Sequence, residues 1–325
     1  MTRYVVTAIL LTSSQLAFAA GPKSDTYTDA QAAGPDYALQ GEFAGEADTP
    51  DGKRKFGAQV IALGDHRFRV IGYYGGLPGD GWSRGDKLES REVEIQGDSG
   101  QFTKDNAVIT ITADHITIEA DGNTVAKLKK VHRKSPTLGA KPPAGAKVLF
   151  DGSSVAKFNN GKLTEGKLLA ATNVESKAKF KDHSFHIEFR TPFMPKARGQ
   201  GRGNSGVYVQ SRYEVQVLDS FGLDGKDNEC GGIYQVSKPI VNMCLPPLAW
   251  QTYDIDFTAA KYDKDGKKTA NARVTVKHNG VTIHDDLELP KQTPGRHAEG
   301  PTADSLFMQD HSNPVAFRNI WVVEK

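Results

Sequence analysis

An all-β chain in two parts is the reading this sequence supports: a jelly-roll β-sandwich preceded by a smaller all-β domain. Three observations carry it. Short runs of Val, Ile, Thr, Tyr and Phe recur along the 325 residues, and 33 Gly and 16 Pro punctuate them. A Pro/Gly/Ala stretch at 134–146 divides the chain. Beyond it, residues 185–190 read Phe-His-Ile-Glu-Phe-Arg, a strict alternation that predicts a strand with one apolar face. The formal net charge of +2 offers no basis for a nucleic-acid partner.

Residues 1–20 read as an export signal. Arg3 supplies the positive start, 5–11 are apolar, and Ala17-Phe18-Ala19 fits a small-x-small cleavage site. A retained N-terminal anchor is the other reading. No later segment approaches the roughly 18 apolar residues of a membrane helix. The mature chain is therefore expected without a transmembrane segment, periplasmic or extracellular. Residues 21–36 are rich in Ala, Gly and Asp and are expected to be flexible.

The small all-β domain is expected over 37–133. Strand-like runs fall at 56–63, 67–71, 92–95, 108–111, 116–119 and 125–128, with turns at Gly64-Asp65, Asp105-Asn106 and Asp121-Gly122-Asn123. The Gly/aromatic loop 72–82 has two readings, a surface for stacking a sugar ring or a loop with buried aromatics. The second domain is expected over 147–325, with further strands at 206–210, 213–218, 252–257, 272–278, 305–309 and 316–323. Many short strands with one apolar face each predict two sheets packed face to face.

The residues most suggestive of function lie at 203–219. Two alternating strands are joined by a tight turn placed at Ser211-Arg212. Glu214 and Gln216 share one face, with Tyr213, Val215 and Val217 on the other. A wet sheet face of acids and amides suits a polyhydroxylated ligand, although a plain hydrogen-bonded outer face has the same pattern. Gly201-Arg-Gly-Asn-Ser-Gly206 matches G-x-G-x-x-G but opens a strand rather than a helix, so it is no dinucleotide fingerprint. Glu214-x-Gln216-x-x-Asp219 has the layout of the Glu-x-Asp-x-x-Glu strand of sandwich-fold glycosidases, with Gln in place of the central Asp. That exchange breaks the electrostatic pair that tunes the acid in ordinary retaining chemistry. Gln309-Asp310-His311 is expected at a strand end, where an imidazole titrates near neutral pH.

The only two cysteines, Cys230 and Cys244, fit either a bridge or two buried thiols. No cofactor is called for. A divalent cation among Asp224, Asp227 and Glu229 stays open, with a solvated loop the simpler reading.

Taken in order, Leu149-Phe-Asp-Gly152, 185–190, Gly203-Asn-Ser-Gly-Val-Tyr208, 213–219, Gly231-Gly-Ile-Tyr234, Trp250-Gln-Thr-Tyr-Asp-Ile255, Leu306-Phe-Met-Gln-Asp-His311 and Phe317-Arg-Asn-Ile-Trp321 resemble the 3-keto-disaccharide hydrolase domain family. The resemblance runs from 147 to the C-terminus and leaves the first β domain uncovered. It implies a concanavalin A-like, laminin-G-like jelly roll and cleavage of glycosides carrying a ketone at C3. On this basis His311 and Glu214 are the candidate acid/base pair. Glu188, Arg190, Asn204, Tyr208, Gln216, Asp219 and Gln309 are the candidate substrate contacts, with an oligosaccharide or glycoside as ligand. Since one fold serves many functions, a non-catalytic, lectin-like carbohydrate-binding protein is the alternative. A surface interaction protein is a third reading.

Overall fold

The computed structural model describes residues 25–325. The expected export segment lies outside the described residues. Residues 25–36, expected to be flexible, are tied down: Tyr27 pairs by backbone hydrogen bonds with Phe193, and a short helix follows at Gly34–Leu39.

The first domain is a single sheet of eight antiparallel strands. Their spatial order is Leu88–Glu94, Arg67–Tyr74, Gly52–Gly64, Gly41–Thr49, Asn123–Val131, His115–Ala120, Ala107–Thr112 and Ser99–Lys104. Two of these strands escape a pattern search. Gly41–Thr49 carries one large apolar residue, Phe43. Ser99–Lys104 is an edge strand whose polar composition suits an unpaired edge. The sheet curls until its two edges meet through side chains. Arg91 Nη1 donates to the Thr103 carbonyl at 2.7 Å, and Lys104 pairs with Glu89 at 2.6 Å. Alternation divides the two faces. Ala58, Val60, Phe68 and Val70 turn into the curl, whereas Ile61, Leu63, Ile71 and Tyr73 turn out and join the core of the second domain. In the loop 72–82, Tyr73 is buried and Trp82 meets its ring edge at 5.2 Å, partly exposed.

The second domain is a two-sheet sandwich, a jelly roll. One sheet runs Lys147–Phe150, Ala316–Glu324, His183–Arg190, Gln251–Thr258, Ala272–His278, Val281–Leu289, with Leu169–Ala170 beside Ala316–Glu324. The other runs Phe158–Asn159, Val174–Phe180, Asp304–Met308, Ser205–Val209, Tyr213–Val217. Phe185, Ile187, Phe189, Tyr253, Ile255 and Phe257 from the first sheet face Val207, Val209, Tyr213, Val215, Val217, Leu306 and Met308 from the second, all buried. Cys230 and Cys244 are buried free thiols, the former 3.2 Å from the Tyr253 hydroxyl.

The linker is docked along its length. Ser135 Oγ meets Thr252 Oγ1 at 2.6 Å, Thr137 Oγ1 donates to Asp254 Oδ2 at 2.6 Å, and the Gly139 amide donates to Glu188 Oε1 at 2.5 Å. Beneath it His186 lies between Asp254 (2.6 Å) and Glu188 (3.7 Å), stacked on Trp321. Burial alone would depress this imidazole. The Asp254 and Glu188 carboxylates outweigh it and hold the ring above its ordinary value. Burial likewise pushes Glu188 up. Hydrogen bonds from His186, Asn319, Gly139 and Arg318 overcome that and bring it down to about 2.

Two signs follow by linkage. The His186 contribution to stability is fully present below its ordinary pKa of 6.5 and is lost as pH rises through its higher folded value. The Glu188 contribution is present above the ordinary carboxylate value of 4.5 and is lost as pH falls toward about 2. Denaturant titrations across pH are expected to show a His186→Asn variant losing the alkaline limb of this dependence. Glu188→Ala, which strands Arg318 and His186, is expected to lower stability by about 3 kcal/mol or more.

Candidate active site

The hairpin Ser205–Val209/Tyr213–Val217 builds the site. Its register pairs Tyr208 with Glu214 and Gly206 with Gln216, while Tyr208 also faces Phe307 on the neighbouring strand. The turn sits one residue earlier than expected. Gln210 and Ser211 hold φ of 51° and 48°, and the Arg212 amide closes the turn onto the Val209 carbonyl at 3.1 Å. Primed geometry matches the twist of the flanking strands. No glycine supplies it here. The conformation is held instead by Gln210 Nε2 on the Phe180 carbonyl and Ser211 Oγ on Ser305. With that register, Tyr213, Val215 and Val217 enter the core and Glu214 and Gln216 face outward.

Glu214 is 3% exposed. The Tyr208 hydroxyl donates to its Oε2 at 2.7 Å. Its Oε1 lies over Gly206, where an added Cβ would strike it. Burial drives the carboxyl upward and the phenol's hydrogen bond pulls it partly back, leaving it at about 7. Burial and the adjacent carboxylate raise the Tyr208 phenol, which stays protonated and donating.

Beside this pair runs a row of amides. Gln216 Nε2 donates to Asn204 Oδ1 at 2.9 Å, and Asn204 Nδ2 to the Gln200 carbonyl at 2.7 Å. Gln200 Nε2 in turn donates to the Asn228 carbonyl. The segment 309–313 is sewn to this floor. The Gln309 amide bonds the Gly206 carbonyl at 2.9 Å, Ser205 Oγ bonds the Gln309 carbonyl at 2.6 Å, and the Asn204 amide bonds Asn313 Oδ1 at 2.7 Å. The strand ends at Met308, so Gln309-Asp310-His311 belongs to the following loop rather than to the strand end. Gln309 is partly buried there, and His311 is exposed between the two anchor points at 309 and 313.

The far side is covered by residues 293–296, a segment with no sequence signal of its own. Thr293 Oγ1 accepts the Glu214 amide, and Gly295 lies over the Tyr208 hydroxyl. Arg296 follows, its guanidinium 3.8 Å from the Phe307 ring centroid. The surrounding Lys-Gln-Thr-Pro-Gly-Arg sequence looks like any polar turn, so only packing reveals it.

Three of the expected contacts lie elsewhere. Because Phe185, Ile187 and Phe189 point inward, Glu188 and Arg190 project from the outer face of the opposite sheet, not toward Glu214. Glu188 is spent on the linker, and Arg190 lies 5.1 Å over Trp250. Asp219 is buried in an ion pair with Arg202 at 2.6 Å, and that arginine also reaches the Ala62 carbonyl of the first domain. Glu229 Oε2 accepts the Gly225 and Lys226 amides, which closes a turn. Among the described residues no group of three or more His, Cys, Asp or Glu is placed to hold a metal.

The 3-keto-alpha-glucoside-1,2-lyase-like domain model matches residues 145–323, more than half of the chain. The chain belongs to this family. Among solved structures, a candidate glycosyl hydrolase from Parabacteroides distasonis ATCC 8503 is 31% identical, with a TM-score of 0.52 over 56% of this chain and 85% of its own. A second from the same organism is 20% identical at a TM-score of 0.40, over 55% of this chain and 99% of its own. No protein of curated function matches. The 3-keto-alpha-glucoside-1,2-lyase-like domain thus carries both the Glu214–Tyr208 pair and the amide row.

The raised Glu214 carboxyl makes a stability prediction with a definite sign. Its contribution is fully present below the ordinary value of 4.5 and is lost as pH rises through about 7. Chemical denaturation at pH 5 and pH 9 should give a difference of no more than about 3 kcal/mol from this group, and Glu214→Gln should abolish that difference. A second prediction concerns Gly206. Gly206→Ala displaces the carboxylate from its seat, and a proton-sensitive probe of Glu214 should then report a carboxyl nearer its ordinary value.

Proposed function

We propose that this chain is an exported enzyme that cleaves 3-keto-glycosides. Membership of the 3-keto-alpha-glucoside-1,2-lyase-like family supports a carbohydrate hydrolase or lyase. The single observation that carries the finer reading is Glu214: one carboxyl near neutral pKa, held by a phenol, with an amide where a sandwich-fold glycosidase places the central Asp of its strand motif.

A ketone at C3 acidifies the proton on C2. A base removes that proton, the electron pair moves into the C3 oxygen as an enolate, and its return expels the C1 oxygen with the aglycone. The leaving oxygen takes a proton. Water then adds to C1 of the enone to complete net hydrolysis. In this route Glu214 and His311 form the acid/base couple, and Gln216, Asn204 and Gln309 hold sugar hydroxyls. A carboxyl near pKa 7 suits such a role, because both protonation states are populated at the working pH.

The test is aglycone release from a 3-keto-glucoside and from its unoxidised parent. Release is expected from the ketone alone, and Glu214→Gln or His311→Ala should slow it at least about 100-fold with the thermal midpoint near wild type. Unchanged turnover in both variants removes the couple from the mechanism. Binding by calorimetry with no product from either sugar would favour the lectin-like alternative.

A further inference from the structure

We propose that the first domain binds a small monocarboxylate with an apolar body, seated inside its curled sheet with the carboxylate on Arg91. This site lies in a different part of the chain from the glycoside-cleaving site and does not depend on it.

The eight strands nearly close on themselves, because the two edge strands Leu88–Glu94 and Ser99–Lys104 follow each other in the chain. A closed sheet of this size is just wide enough to be filled by side chains or to hold one small ligand. Here one half is filled and the other is not. Phe43, Phe68, Ile95 and Ile111 are buried and pack with Leu39 and Phe193 at the closed end. The other half is a cavity of about 400 Å³, within the roughly 300–1,000 Å³ of small-molecule pockets. Phe56, Val70, Phe102, Ile109 and Ile118 line it. Short residues keep it open. Ala58 and Ala107 fill little of it, and the Phe56 ring lies against Gly72, where an added Cβ would meet it at 3.0 Å. Phe56, Phe102, Ala107 and Ile118 are only partly buried, so the cavity presents apolar surface to water.

Charge at the mouth selects the ligand. Register pairs Arg91 with Val70 and Glu89 with Gly72, which turns both toward the inner face, and both line the cavity. Arg91 Nη1 donates to the Thr103 carbonyl at 2.7 Å, and the guanidinium lies 5.6 Å from the Phe102 ring centroid. Arg91 is exposed, and among the described residues no carboxylate pairs with it and Nη1 is its only committed donor. The other charges of the mouth answer one another. Glu89 meets Lys104 at 2.6 Å and Lys87 at 3.4 Å and accepts the Tyr74 hydroxyl at 3.1 Å. Lys104 also meets Asp105 at 3.2 Å. Three cations thus face two carboxylates, and Arg91 is the cation left over. An apolar body gains by covering the exposed walls, and a guanidinium takes a carboxylate through paired N–H bonds. A neutral ligand of the same shape would cover Arg91 without offering it a charged acceptor. A cationic one would meet repulsion from Arg91, Lys87 and Lys104.

The test is calorimetry on the full-length protein with octanoate and 2-naphthoate, and with octanol and 2-naphthol as their neutral counterparts. At least one carboxylate should bind saturably at one per chain, about 10-fold or more tighter than its alcohol. Arg91→Gln should remove that preference and keep the weaker binding of the neutral compound. Ala107→Trp fills the cavity from one strand and Ile118→Trp from the next. Either should abolish binding of acid and alcohol alike with the thermal midpoint near wild type. Octanoate binding alone identifies an acyl body and 2-naphthoate binding alone an aromatic one, and each supports the site. No saturable binding of either carboxylate, or equal affinity for acid and alcohol in wild type, would overturn it. So would a preference that survives Arg91→Gln, or undiminished binding in a folded filling variant.

Discussion

The hydrogen bond from the Tyr208 hydroxyl to Glu214 is the constraint on which the site depends. A carboxyl removed from water rises in pKa because the charged form loses hydration, and each donor aimed at it lowers it again. Here a single donor meets a nearly buried group, and the balance comes to rest at about 7. More donors would make it a permanent anion, as with Glu188. There an amide, an asparagine, an arginine and a histidine converge and bring the carboxyl down to about 2. Both glutamates share one sandwich and project from outer sheet faces. The number of donors around each separates an acid/base candidate from a structural anchor.

The rest of the architecture holds that pair in register. Val215 and Val217 in the core keep Glu214 and Gln216 outward, since a slip of one residue would exchange the two sets. The left-handed turn at Gln210 and Ser211 is stabilised by side-chain bonds into Phe180 and Ser305, so the hairpin depends on neighbouring strands as well as on its own sequence. The first domain adds a second brace. Its outward Ile61, Leu63, Ile71 and Tyr73 pack into the sandwich core, and Arg202 joins Asp219 to the Ala62 carbonyl. The docked linker clamps the opposite sheet through Thr252, Asp254 and Glu188.

Much of this was legible before any coordinates. Strict alternation at 185–190 and 213–217 states which residues enter a core, because side chains on a strand have only two sides to choose from. The strands at 251–258, 272–278 and 316–324 announce themselves in the same way. The weak spots were segments with little apolar content. Gly41–Thr49 and Ser99–Lys104 are strands only because neighbours pair with them, and residues 25–36 are ordered by contacts with Phe193. The exchange of Asp for Gln at 216 was visible in sequence, and the chemistry it argues against follows without a structure.

Alternation alone determined that Glu188, Arg190, Glu214 and Gln216 leave the core. Which sheet each one leaves from was decided only by the tertiary fold, because strand order within a sandwich depends on long-range pairing that carries no local signature. That is why Glu188 and Arg190 stand across the molecule from Glu214, and why Asp219, five residues along from it, ends in an ion pair with Arg202. The same holds for Arg296. Its sequence neighbours describe a polar turn, and only packing brings Gly295 against Tyr208 and the guanidinium onto the ring of Phe307. Side-chain direction is local and periodic, whereas the company a side chain keeps is set by the packing of distant segments.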